Sequence, residues 1–122
     1  FIPFAGGSKK FMIRYDEVSK KYYSLVNSIK ETDKTKDVEP DDLRNQLSLV
    51  SSTDLVNWET EKVVLQHPDH TKHAFQYASW IMVGDDILFV SRTAYDDRHG
   101  GAKNFHDANF LTFHTIHNFR NI

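Results

Sequence analysis

The sequence predicts an all-β chain built from two successive antiparallel meanders. Three observations carry that expectation. Aromatic and β-branched residues recur with a period of two, and no stretch keeps apolar residues at helical spacing for three turns. The order of strands, tight turns and long loops in the first half also returns in the second. The first strand, Lys10 to Tyr15, runs into Asp16-Glu17-Val18-Ser19-Lys20, whose Asp and Ser suit a tight hairpin turn. The second, Tyr22 to Ile29, leads into a charged stretch, Lys30 to Arg44, which contains Pro40 and reads as a solvated surface loop. Strands follow at Gln46 to Ser52 and Thr60 to Leu65, then at Phe75 to Val83 and Ile87 to Thr93 around the turn Gly84-Asp85-Asp86. A second long connection, Ala94 to Ala108, precedes the last strand, Asn109 to Thr115.

The 122 residues, 39% hydrophobic and 26% charged, have the composition of an ordinary globular domain. A formal net charge of -2 and a pI near 6.4 supply no basic field for phosphate backbones, so no nucleic-acid partner is expected. Without cysteine the chain has no disulfide, thiolate metal site or cysteine nucleophile. No apolar run approaches the roughly 18 residues that cross a bilayer as a helix, so no membrane span is expected. The chain opens on Phe1 rather than Met, which fits a segment of a longer protein.

Laid over one another, the halves repeat at a long spacing: Tyr23 to Ser28 falls on Leu88 to Thr93, and Leu49 to Trp58 on Leu111 to Phe119. Each half reads strand, tight turn, strand, long loop, strand, then a turn ending in Asn and an aromatic. Repeated four-stranded meanders are the blades of a β-propeller. The expected fold is therefore a β-propeller fragment of about two four-stranded antiparallel blades within one domain, 1–122. The first blade spans approximately 9–66, and an incomplete second blade approximately 74–122. The second lacks its fourth strand and Phe1 to Phe4 stands unpaired, so the remaining blades of the same propeller are expected partners and the parent several times longer.

Ser52-Thr53-Asp54-Leu55-Val56-Asn57-Trp58 reads S-x-D-L-x-x-W. It resembles the blade-closing hairpin of arabinanase and invertase type glycosidase propellers and, less closely, the Asp-box of sialidases. In that hairpin Asp54 would cap turn amides and Trp58 would fill the gap between neighbouring hairpins, a mark of fold rather than catalysis. A longer resemblance runs through Phe4 to Phe11, His73-Ala74-Phe75-Gln76-Tyr77, Ser91 to Asp97 and His106-Asp107-Ala108-Asn109. Through these segments the chain is similar to the C-terminal part of bacterial sialidase-like proteins of the BNR type. The resemblance implies a carbohydrate-active propeller, an exo-glycosidase acting on glycans, placed outside the cell: secreted, periplasmic or on the surface. No cofactor is implied.

Propeller geometry puts Gly6 to Lys10, Lys30 to Arg44, Gln66 to His73 and Ala94 to Ala108 on one face and the D-L-x-x-W hairpin on the other. The first face gathers what a sugar site needs: carboxylates to exchange protons, cations to hold an acid group, and aromatics to stack on a pyranose. The candidate substrate-binding residues are Arg92, Lys10, His73, Gln76, Tyr77, His106 and Asp107, and the catalytic candidates Asp96 and Tyr95. Arg92 could instead pair with Asp96 or Asp97, and Tyr95 could be a packed aromatic. One of the adjacent Asp96 and Asp97 would cap a turn, and Asp107 would orient a histidine or cap its loop. His67, Asp69, His70 and His73 lie close together, but Pro68 breaks any helix there and the spacing matches no standard zinc motif, so no metal is expected.

Sialidase chemistry as the resemblance implies it uses an arginine cluster on the substrate carboxylate, a tyrosine nucleophile activated by glutamate, and an aspartate acid/base. Here Arg92 would be the clamp and Tyr95 the nucleophile, although no glutamate lies near Tyr95 and no three arginines align with the cluster. A glycosidase of the usual kind needs two carboxylates, of which Asp96 could be one. Two blades alone are expected to be inactive. The rivals are a non-catalytic glycan-binding propeller and a scaffold propeller that binds protein.

Overall fold

The computed structural model describes residues 1–6, 9–29 and 37–122. Among these residues it is all-β, with seven strands in two antiparallel sheets. The first sheet is a meander of β1 (Ile13–Asp16), β2 (Lys21–Val26), β3 (Gln46–Ser52) and β4 (Glu59–Gln66) in spatial order. The second holds β5 (Ala74–Val83), β6 (Asp86–Ala94) and β7 (Phe110–Ile116), also in order. The expected strands are all present, and the second sheet has three strands, as read from the sequence. Residues 30–36 of the predicted charged loop, and residues 7–8 of the Gly6 to Lys10 segment, lie outside the described residues. Past them a short 3-10 turn at Pro40–Asp42 leads into β3.

Alternation decides which side chains meet. Tyr23 and Leu25 on β2 and Leu47 and Leu49 on β3 face the second sheet, where they pack with Phe75, Trp80, Ile87, Phe89, Ile116 and Phe119 in one buried cluster. Burying this apolar surface is the main force joining the sheets. One end of the pair is closed by ions: Arg120, after β7, donates to both Asp16 carboxylate oxygens at 2.7 Å each and to Asp85 at 2.7 Å. The Arg120 guanidinium, then the hydrogen bonds from Ser19, hold the Asp16 carboxyl well below the usual carboxylate range against the effect of its burial.

The D-L-x-x-W hairpin lies at that same end. Asp54 accepts the Val56 and Asn57 amides at 2.8 and 2.7 Å, the turn-capping role expected of it. Trp58 packs edge-on to Phe4 at 4.9 Å and donates to the Leu55 carbonyl. The N-terminal segment, not a neighbouring hairpin, is thus its partner in this chain. Among the described residues, no helix is long and apolar enough to cross a membrane.

Candidate functional site

The opposite end is where β1 and β5 begin, β2 and β6 end, and the long connections emerge. Asn27, just past β2, fastens the two sheets there. Its buried amide donates to the Phe75 carbonyl of the second sheet at 2.6 Å and to the Gln46 carbonyl of the first at 3.1 Å. The Phe75 amide returns a bond to the Arg44 carbonyl at 2.8 Å.

Beside this fastening lies a polar cavity of about 130 Å³ lined by Lys9, Lys10, Asn27, Arg44, Gln76 and Tyr77. Arg44 donates to the Gln76 side-chain oxygen at 2.5 Å, and the Gln76 amide, almost wholly buried, donates to the Phe105 carbonyl at 2.6 Å. Tyr77 sits in the bulge where the β5–β6 register shifts, with φ of 52°. A positive φ is rare and strained for a tyrosine, and here it aims the half-exposed ring away from the core. Two guanidinium groups approach that ring, Arg44 at 5.7 Å and Arg92 at 5.8 Å from its centre. Arg92 is steadied by a 2.8 Å bond to the His106 carbonyl.

No carboxylate lines this cavity among the described residues. Burial first, and then the nearby Arg44 charge, lower the Lys9 ammonium to about 8, while Asp41 and Asp42 pull the other way. Lys9 also donates to the Pro40 carbonyl at 2.9 Å. An adjoining cavity of about 190 Å³ shares Lys9, Lys10 and Asn27 and adds the apolar walls Phe4, Phe11 and Val26.

A second group stands on the other side of the β6 end. His73 is buried with a carboxylate at each ring nitrogen, Asp69 at 2.7 Å and Asp96 at 3.0 Å, and its ring stacks on His67 at 3.6 Å. Tyr95 meets both imidazoles edge-on at 5.3 and 5.1 Å. Burial pushes the Asp69 carboxyl up, but hydrogen bonds from Thr71, His73 and the Lys72 amide together outweigh it and hold the group low. One ligand atom each from His67, Asp69 and His73 lies within 4.8 Å of the others. The imidazoles are within 12° of parallel, so a single ion cannot lie in both ring planes, as two imidazole ligands would require. The geometry is that of a hydrogen-bonded clasp joining the β4–β5 and β6–β7 connections. Tyr95 and Asp96 line a larger cleft of about 420 Å³ between the sheets, with Leu65, Phe75 and Phe110 among its walls.

The sequence-chosen residues therefore fall into separate places. Lys10, Gln76 and Tyr77 line the polar cavity, with Arg92 beside the Tyr77 ring, whereas His73, Tyr95 and Asp96 form the clasp. Arg92 leaves the outer face of β6, whereas Thr93 and, just past the strand end at Ala94, Tyr95 line the cleft on the inner side, and Asp96 joins them from the loop. Its guanidinium donates to the His106 carbonyl rather than to Asp96 or Asp97. Asp97 is the loop cap of the adjacent pair: it accepts the His99 and Gly101 amides at 2.7 and 2.9 Å, and those bonds with Asn109 hold its carboxyl low. Asp96 is the one that points outward, with a 75% exposed side chain. Gly101, with φ of 80°, passes so close to the Tyr95 carbonyl that an added Cβ would lie 3.2 Å from it. His106 contributes its backbone while its ring is exposed, and Asp107 accepts from Asn104 within its own loop at 3.0 Å. Sequence reasoning did not single out Lys9 or Arg44. The available signal was basic residues two to four positions before a strand at this end, Lys9-Lys10 before β1 and Arg44 before β3. No family model, curated protein or solved structure matches the chain.

Proposed function

We propose that this chain is part of a carbohydrate-handling β-propeller, its two sheets being consecutive blades, and that it binds an anionic sugar in the cavity of Lys9, Lys10, Arg44 and Tyr77, beside Arg92. The observation that carries the reading is a cavity that Lys9, Lys10, Arg44 and Tyr77 line with no carboxylate among the described residues, with Arg44 and Arg92 both approaching the exposed Tyr77 ring. Guanidinium groups pair with a carboxylate through two parallel hydrogen bonds, and a tyrosine face suits the C–H side of a pyranose. The sequence resemblance to sialidase-like propellers supports a sialic-acid-like ligand and a secreted, periplasmic or surface location.

Binding without hydrolysis is the favoured form of this reading. The two carboxylates of this end with displaced titration, Asp69 and Asp97, are both held low by loop hydrogen bonds, the opposite of a proton donor tuned for neutral pH. Exo-glycosidase action is the second reading, and it draws on Asp96, whose exposed carboxylate is held by His73 beside Tyr95.

Calorimetric titration with a sialylated trisaccharide and with its neutral, desialylated core tests the proposal. The acidic sugar is expected to bind and the neutral one at least about tenfold more weakly, with Arg44→Ala and Lys10→Ala each costing about tenfold or more. Equal binding of both sugars, or unchanged binding by both variants, would remove the cavity as the site. Hydrolysis of an aryl sialoside to its phenol and free sugar, abolished by Asp96→Asn, would move the reading to hydrolysis.

A further inference from the structure

The cleft of about 420 Å³ between the sheets, beside the clasp, differs in kind from the cationic cavity. Its apolar walls come from both sheets: Leu65 near the end of β4, Phe75 in β5 and Phe110 at the start of β7, with Tyr95 just past β6. Because it lies between the two faces that meet inside this chain, blades stacked on either outer face leave it in place. Phe110 and Tyr95 keep 42% and 40% of their surface exposed there. The walls are also held before any ligand arrives. Tyr95 exchanges two hydrogen bonds with the Asn109 side chain, through its amide at 3.0 Å and its carbonyl at 2.9 Å, and meets the His67 and His73 rings edge-on. His114 stacks on Phe89 at 4.8 Å and is bonded to the Thr112 hydroxyl at 2.7 Å. A preformed cleft of this size, largely apolar with a few fixed polar groups, suits a small organic ligand.

Charge narrows the class of ligand. Among the described residues that line the cleft there is no lysine or arginine, and burial pushes the His114 imidazole toward its neutral form. Asp96 is the one carboxylate of that lining. Its Oδ1 meets His73 Nε2 at 3.0 Å, but His73 is shared with Asp69, so two carboxylates and one imidazole are net negative whichever form the ring takes. Among the described residues, no lysine or arginine pairs with Asp69 or Asp96. A negative charge whose side chain is 75% exposed thus stands beside an aromatic-walled cleft with no cation to balance it.

We propose that this cleft binds a small organic cation, an ammonium group carried on an aromatic or branched apolar body. The body packs among Leu65, Phe75 and Phe110, which supplies most of the affinity. The ammonium donates to Asp96, and the electron-rich face of the neighbouring Tyr95 favours the same positive charge, which supplies the selectivity. The cleft and the anionic-sugar cavity lie on opposite sides of the second sheet, so this assignment does not rest on the other.

Titration of the full chain with phenethylammonium chloride, and separately with phenethyl alcohol as the uncharged analogue, provides the test when followed by two-dimensional amide NMR spectra. The ammonium is expected to saturate and to move the amides of Tyr95, Phe110, Thr112 and His114, with the alcohol about fivefold or more weaker. Asp96→Asn keeps an acceptor for His73 while removing the charge, so it should bring the ammonium down to the affinity of the alcohol and leave the alcohol unchanged. Phe110→Ala should weaken both. Four results would each overturn the proposal: an alcohol that binds as tightly as the ammonium, shifts confined to the amides around Lys10 and Tyr77, an Asp96→Asn variant that binds the ammonium like the wild type, or no saturable binding below about 10 mM. The comparison of the two probes is made on the wild type, so it decides the matter even where a variant does not fold.

Discussion

Replacing Asn27 tests the fastening between the sheets at the candidate site. Its buried amide nitrogen donates at 2.6 Å to Phe75 and 3.1 Å to Gln46, with a third carbonyl, of Arg44, at the 3.5 Å limit. Asn27→Ala removes the donor and leaves two close carbonyls short of a partner, at about 1–3 kcal/mol for an unmet buried group. Counting the two close bonds and discounting the third, the loss is about 2–3 kcal/mol, or roughly 8–12 °C in Tm for a domain of this size. Asn27→Asp keeps the shape but turns an acceptor toward three carbonyl oxygens and adds a buried charge, so it should cost more, about 4 kcal/mol or above. Urea unfolding followed by near-ultraviolet circular dichroism gives both values on one scale. If Asn27→Ala changes stability by less than about 0.5 kcal/mol, Asn27 is not the fastening. If Asn27→Asp is as stable as Asn27→Ala, the carboxylate has turned onto the neighbouring lysines, and the argument from carbonyl facing carboxylate is wrong.

Three further outcomes are expected. Asp16 titrates below its ordinary 3.8 because of Arg120, so its contribution is complete above that value and is lost as the pH falls through the lowered one; Arg120→Met should flatten the acid limb of stability between pH 5 and pH 2, as read by melts across that range. Lys9 titrates near 8, so acidic-sugar affinity should be highest below that pH and fall as the lysine loses its proton above it, a limb that Lys9→Met should remove in titrations at pH 6 to 10. Tyr77→Gly relieves the positive φ while deleting the ring, so stability should stay within about 1 kcal/mol of wild type while acidic-sugar binding weakens; a large loss of stability would show that the ring packs rather than presents.

Much of the fold was legible because strands and turns are written locally. Alternation located all seven strands, Asp16-to-Lys20 and Gly84-to-Asp86 marked the hairpins, and Asp54 could be read as a turn cap from its spacing to Asn57. Strand ends shifted by a few residues because pairing, not propensity, ends a ladder: Ile29 was expected in β2, which stops at Val26, where the chain turns to put Asn27 between the sheets. The candidate site was only partly legible. Lys10, Gln76, Tyr77 and Arg92 could be named from residue chemistry, but Lys9 and Arg44 reach the cavity through a tertiary approach of two sheets that no local pattern encodes. The bulge that rotates Tyr77 into a positive φ was equally hidden, since tyrosine has no preference for that conformation.

The end of a strand accounts for the most consequential misplacement. Arg92 and Asp96, four residues apart, would share a face if β6 ran on, but β6 ends at Ala94: Arg92 leaves its outer face beside Tyr77, while Thr93 points between the sheets toward the cleft that Tyr95 and Asp96 line from the loop. Cation and carboxylate are therefore divided between two cavities separated by the sheet itself. A ligand held by Arg92 and Arg44 has its acid group on the Tyr77 side, out of line with Asp96, and for Asp96 to act on that ligand the ligand would have to pass over the end of β6. That separation is a physical reason to expect the cationic cavity to bind rather than cut. It gives a direct discriminant: Asp96→Asn should leave acidic-sugar affinity unchanged while Arg44→Ala lowers it, and equal losses from both variants would place the two groups on one ligand after all.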